Sequence, residues 1–389
     1  MPRNRLYIFG IIVACVSLGI LFWTVDLFDF RNKAPENCEQ SGSPPACWEK
    51  QIESILQKKG LVPALDLFLT LNATQPSFST YCHEYAHRLG TYAYNIYRSK
   101  KTLVIHPQMQ YCAFGFYHGL MLKMTSESGS TNEAKQFCEY LESELKKQVS
   151  VPSMACYHGV GHGIAEISIE REKLHDEEEI VKKAAPLCHS VAHNTQQLEI
   201  CLSGIFDTLA IAYYNDNKYP GIHVRMDNPL WLCQKQPDEY RAPCYNMMMS
   251  ALWRITNADL TSALAIFQKH VEQKHKPRTL QTLMADTMRE RLSLSPAELV
   301  TFCDTLDRNL YASCVLGTVD GITEFGSLDT AHEKALAVCA EAKPDSTLQN
   351  KCYSSILGYL KSRYPQKKVF EICRKFPASY QSLCKIKTN

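Results

Sequence analysis

From Thr131 to Val149 the chain reads "TNEAKQFCEYLESELKKQV", with apolar residues returning every three or four positions among charged ones. That is the period of a helix with one buried face. The same period runs through "EEEIVKKAAPLCHSVAH" (177–193) and "ADLTSALAIFQKHVEQKH" (258–275). It recurs in "SPAELVTFCDTLDRNLYASCVLG" (295–317), which opens on a Ser-Pro start with a glutamate in the first turn. Strict alternation between hairpin turns is rare, so the pattern predicts an all-α chain.

One segment breaks the amphipathic rule. Leu6 to Val25, "LYIFGIIVACVSLGILFWTV", runs twenty residues without a charge, enough to cross a bilayer as a helix. Arg3 and Arg5 precede it, which places the N-terminus in the cytoplasm and exports the rest to a periplasmic, lumenal or extracellular space. A cleaved signal peptide or a lipidation box at "IVAC" are rival readings. The apolar run continues past Cys15 and ends in "LFWTVDLF" without small residues, which favours an uncleaved anchor. The expected divisions are a cytoplasmic tip (1–5), a transmembrane helix (6–25), a juxtamembrane linker (26–60), histidine-rich helical repeats (61–215) and C-terminal helical repeats (216–389).

Cysteine usage agrees with export. Of 17 cysteines, Cys15 lies in the apolar span, leaving an even 16 outside it, as a disulfide-bonded exported chain would have. No two are closer than Cys38 and Cys47. The absence of any CxxC argues against zinc ribbons, thioredoxin-like sites, iron–sulfur clusters and covalent haem. Laid in order, the cysteines show a repeat. Cys112 opens "CAFGFYHG", Cys156 "CYHGVGHG", Cys201 "CLSGIFDT" and Cys314 "CVLGTVDG": cysteine, glycine three later, His or Asp six later. The starts at 112, 156, 201 and 244 recur with a period of about 44. Each has a cysteine upstream, predicting the pairs Cys38–Cys47, Cys82–Cys112, Cys138–Cys156, Cys188–Cys201, Cys233–Cys244, Cys303–Cys314, Cys339–Cys352 and Cys373–Cys384. The expected fold is a disulfide-stapled helical-hairpin repeat array, α-solenoid-like, behind one transmembrane helix. In outline it resembles the exported, cysteine-stapled Sel1-like helical repeats, although the cysteine spacing differs. At 100° per residue, positions 0, 3, 6 and 7 of the pattern fall at about 0°, 300°, 240° and 340°. They share one face, where the glycines let a neighbouring helix approach closely.

Histidine changes the picture from packing to chemistry. Six of the 13 histidines form i, i+4 pairs: His83–His87, His158–His162 and His189–His193. Random placement would give about 0.4 such pairs, and this spacing puts two imidazoles on adjacent turns of one helix face. His118 stands at the same repeat position as His162. Paired imidazoles can chelate a metal ion. "HEYAHRLG" (83–90) resembles the opening of the metzincin protease motif, which implies Glu84 as general base. Ala93 stands where that family supplies its third histidine, so the pattern is incomplete. "CHEYAH" and "CHSVAH" are near-duplicates, and the second has Ser190 in place of Glu84. Ligands from several helices converging on one site is therefore the better expectation. His83, His87, His118, His158, His162, His189, His193 and Asp207 are the candidate ligands. The cofactor is a transition metal, zinc first, with copper or iron also suited to imidazole and carboxylate. The bland reading is that these histidines cap helices or bond backbone carbonyls between repeats.

Charge and motifs exclude much else. A net charge of +2 with no basic block gives no case for nucleic acid. No phosphate loop, no G-x-S-x-G and no dinucleotide fingerprint occurs. Two functional readings remain: a membrane-anchored metalloprotein, acting as a hydrolase or oxidase, and a non-catalytic repeat scaffold that binds a protein or peptide.

Overall fold

The computed structural model describes residues 38–384 apart from 76, 101, 107–108, 110–111, 113–114, 146–153, 172, 216, 328–329 and 365. The apolar segment 6–25 lies outside the described residues. Among those described, no helix is long and apolar enough to cross a membrane.

The described chain is all-helical. In order come α1 (Pro44–Lys59), α2 (Leu61–Thr74), α3 (Phe78–Lys100), α4 (Gly115–Ser128), α5 (Thr131–Leu145) and α6 (Met154–Glu166). Then follow α7 (Glu177–Val191), α8 (Thr195–Ala212), α9 (Trp231–Lys235), α10 (Asp238–Ile255), α11 (Leu260–His270) and α12 (Lys276–Arg291). The last are α13 (Pro296–Asp304), α14 (Arg308–Phe325), α15 (Ala331–Glu341), α16 (Ser346–Arg363) and α17 (Gln366–Cys373). Local chemistry starts several of them. Asp176, Asn194, Asp259 and Asp345 accept backbone N–H groups at their helix starts, and Ser295 with Glu298 forms a capping box. The periodicity in α5 does what it predicts: Ala134, Phe137, Cys138 and Leu141 form its fully buried stripe.

Helices pack one against the next in a central row in the order α3, α4, α6, α8, α10, α12, α14, α16, and α5, α7, α13 and α15 flank them in a second row. All eight predicted disulfides are present, with Cα–Cα separations of 5.4–6.1 Å. Five of them tie a flanking helix to the next helix of the central row: α5 to α6, α7 to α8, α9 to α10, α13 to α14 and α15 to α16. Between Cys244 and Cys303 lie α11 and α12, which carry no cysteine. The stretch assigned to a linker also holds structure, because Trp48, Ile52 and Leu56 of α1 are buried in the core.

Glycine sets the spacing where it matters most. A Cβ on Gly90 of α3 would run into the Phe116 carbonyl of α4, and one on Gly119 into that of His87. Between α6 and α8, Gly161 meets the Cys201 carbonyl and Gly204 that of His158. Only residues without a side chain allow backbones this close. The short imidazoles of successive helices are thereby brought within reach of one another.

Candidate metal centre

Five histidines from three helices meet on this row. His83 and His87 of α3 have ring centroids 4.8 Å apart, and His118 of α4 lies 5.3 and 5.5 Å from them. His118 is also 4.6 Å from His158 and 5.6 Å from His162, both on α6. Two groups of three imidazoles, His83–His87–His118 and His118–His158–His162, each offer ligand nitrogens within 4.8 Å of one another. His118 belongs to both.

The sharpest geometry is at α6 and α8. His158 Nε2 and His162 Nε2 lie 3.1 Å apart, and Asp207 Oδ2 is 3.3 Å from the first and 3.2 Å from the second. The neighbours fix what these nitrogens carry. Ser203 Oγ donates to the Ile200 carbonyl at 2.7 Å, so it accepts from His158 Nδ1–H, also at 2.7 Å. Thr208 Oγ1 donates to the Gly204 carbonyl at 3.1 Å and accepts from His162 Nδ1–H at 2.8 Å. A neutral imidazole protonated at Nδ1 presents a bare lone pair at Nε2. In that tautomer two lone pairs and a carboxylate oxygen converge, an arrangement that could hold a metal ion. A tetrahedral ion with bonds of roughly 2.0–2.1 Å has ligand–ligand edges of about 3.3–3.4 Å. The observed spacing fits one face of that tetrahedron.

Electrostatics favour the ligand forms. Burial lowers the pKa of His83, partly opposed by its bond to the Cys112 carbonyl at 2.8 Å. Cys112, tied to Cys82, sits at φ 55° and presents that carbonyl to the ring. Burial and neighbouring histidines push His87 and His118 well below the ordinary histidine value. Burial also lowers His158, against its contact with Asp207. For Asp207 burial opposes ionisation, yet the contacts with His158 and His162 outweigh it and hold the carboxyl below the usual carboxylate range. Among the described residues His118 Nδ1 is buried with no hydrogen-bond partner.

The chain has no significant match among protein-family models, curated proteins or solved structures.

The structure therefore brings together His83, His87, His118, His158, His162 and Asp207, and leaves three of the expected residues elsewhere. His189 and His193 are exposed; His189 Nε2 bonds the Tyr240 hydroxyl at 2.9 Å and His193 Nε2 meets Glu139 at 2.7 Å. Their spacing misleads because α7 ends at Val191 and Ala192 is extended, so the two are not on successive turns of one helix. Glu84 is exposed and is not among the groups that gather the histidines. A further acidic group, Asp238–Glu272–His275, already has cations of its own in Lys274 and Arg241. Sequence reasoning missed Ser203 and Thr208. The signal was there in principle: Ser203 precedes Asp207 by four residues, one helical turn.

Proposed function

We propose that this chain is an exported, membrane-anchored metalloprotein, with a transition metal bound by His158, His162 and Asp207 next to His118. The mutual spacing of 3.1–3.3 Å among two bare Nε2 atoms and one carboxylate oxygen carries this reading. Zinc suits the donor set, and a site with three protein ligands is the arrangement found where zinc is catalytic rather than structural. Bound there, zinc supplies Lewis acidity of the kind used in hydrolysis. Ser203 and Thr208 hold the two imidazoles in their ligand tautomer, and His83 and His87 extend the donor set toward a second ion through His118. Eight disulfides support an oxidising compartment, and residues 6–25 supply the anchor.

The ordered packing of long helices also supports an α-solenoid-like repeat array. A second reading, a scaffold for a protein or peptide partner, draws on α10 to α16, which continue the row without any histidine pair. Elemental analysis of the full chain, purified from an oxidising host, separates the two. The metalloprotein reading expects near-stoichiometric zinc, copper or iron that is lost in His162→Ala. Substoichiometric metal that does not change in that variant leaves the scaffold.

A further inference from the structure

An ion held by His158, His162 and Asp207 leaves a pair of imidazoles unused. His83 and His87 lie on adjacent turns of α3 with ring centroids 4.8 Å apart, and His118 of α4 stands 5.3 and 5.5 Å from them as the third of a set. His118 is buried, and among the described residues its Nδ1 has no hydrogen-bond partner. A buried ring nitrogen of that kind asks for an occupant. The backbone prepares the α3 side much as Ser203 and Thr208 prepare the α6 side. A carbonyl can only accept, so the 2.8 Å contact with the Cys112 oxygen puts the proton of His83 on Nδ1 and leaves Nε2 bare. The Cys82–Cys112 disulfide ties that carbonyl to the residue preceding His83. A Cβ on Gly115 would lie 3.1 Å from His83 Nδ1, so glycine there leaves the ring its room.

We propose that His83, His87 and His118 hold a second divalent ion beside the first, and that this second ion binds an anionic group of the substrate. All three ligands are neutral, so the ion keeps its full double charge, whereas Asp207 cancels one charge of the first. Three protein ligands leave a coordination position open. His83 and His87 are partly exposed, so that side of the site is not sealed from solvent. The ligand nitrogens lie within 4.8 Å of one another, a looser set than the 3.1–3.3 Å of the first site. Drawing them in to edges of about 3.3–3.4 Å costs side-chain freedom. The second ion therefore binds more weakly and loads after the first. The assignment rests on the metal reading, because it adds an ion beside one already proposed.

Cobalt(II) titration of the metal-free full chain, followed by visible absorption, tests this, with azide as the anion probe. The wild type should take up about two ions per chain in two phases, and His83→Ala with His87→Ala should take up about one. His162→Ala should weaken the tighter phase and keep the weaker one. Azide should shift the absorption of the two-ion protein, and the double variant should need at least about tenfold more azide for any shift. Should the double variant fail to fold, His83→Gln with His87→Gln should show the same losses. A single ion in the wild type, lost in His162→Ala but kept in the double variant, would overturn the second site and leave the first standing. No cobalt uptake at all would remove both. Azide binding that is absent in the wild type, or unchanged in the double variant, would overturn the anion-binding role and with it the proposal.

Discussion

Helices α6 and α14 are built on one frame and put to different use. "CYHGVGHG" and "CVLGTVDG" share a cysteine in a disulfide, glycines at the same two places, and a polar side chain six residues on. In both, the glycines seat a neighbouring helix: Gly163 against Thr125, Gly317 and Gly321 against the Gln281 and Ala285 carbonyls. The difference lies in what meets the polar side chain. In α14 both Asp320 oxygens are satisfied, one by Gln281 Nε2 and one by Ser355 Oγ, each at 2.5 Å. In α6 His162 Nε2 meets only other acceptors, His158 Nε2 and Asp207 Oδ2. A shared packing frame therefore does not imply a shared site. The position becomes chemical only where its neighbours leave a lone pair without a proton.

The largest expected effect tests that contrast directly. Asp207→Asn should lower metal affinity by at least about a thousandfold, about 4 kcal/mol, because it removes a ligand and its charge. Asp320→Asn should leave metal content unchanged and lower only the melting temperature. Competition titration with a chelator dye measures the first and thermal melts the second. Equal metal loss in both would erase the distinction between the two helices.

The shared frame predicts the next effect. Gly159→Val and Gly317→Val should each destabilise by about 3 kcal/mol, the upper range for overpacking, since the added atoms meet the Tyr117 and Gln281 carbonyls, which cannot rotate away. Urea denaturation of the metal-free protein reads this without the ligand contribution. If only the α6 variant suffered, close packing would not be common to both regions.

These contrasts also show what the sequence could convey. The all-helical class and every disulfide partner followed from local pattern, because helical period and short cysteine gaps are properties of adjacent residues. His118 and His162 could be matched by repeat position. The third pair could not be judged, because whether residues 189 and 193 share a helix depends on where α7 stops. That His118 meets His158 and His162 depends on the path of the helix row, which is a property of the whole chain.

A smaller effect sharpens the account of α6. Thr208→Val keeps the shape of the side chain but removes the oxygen that accepts from His162 Nδ1–H. The ring is then free to take the other tautomer or to turn. Metal affinity should fall by about 10–100-fold, the usual cost of losing an outer hydrogen bond to a ligand, with little loss of apo stability. Unchanged affinity would mean that the packing of α6 against α8 alone orients the ring.

The smallest effect belongs to the C-terminal region and depends on pH. The Asp286 carboxyl is pushed up to about 6 in the folded chain, burial outweighing Arg289 and Arg254, while an exposed aspartate titrates near 3.9. The folded state therefore binds more protons than the unfolded one between those values, and stability falls as pH rises through them. The penalty is absent below the unfolded value and complete above the folded one. Asp286→Asn should thus stabilise the apo chain at pH 7.5 by on the order of 1–2 kcal/mol, reduced from the full shift because the group is partly accessible. At pH 4 the gain should nearly vanish. A gain that is equal at both pH values would mean that Asp286 is destabilising for its shape and not for its charge.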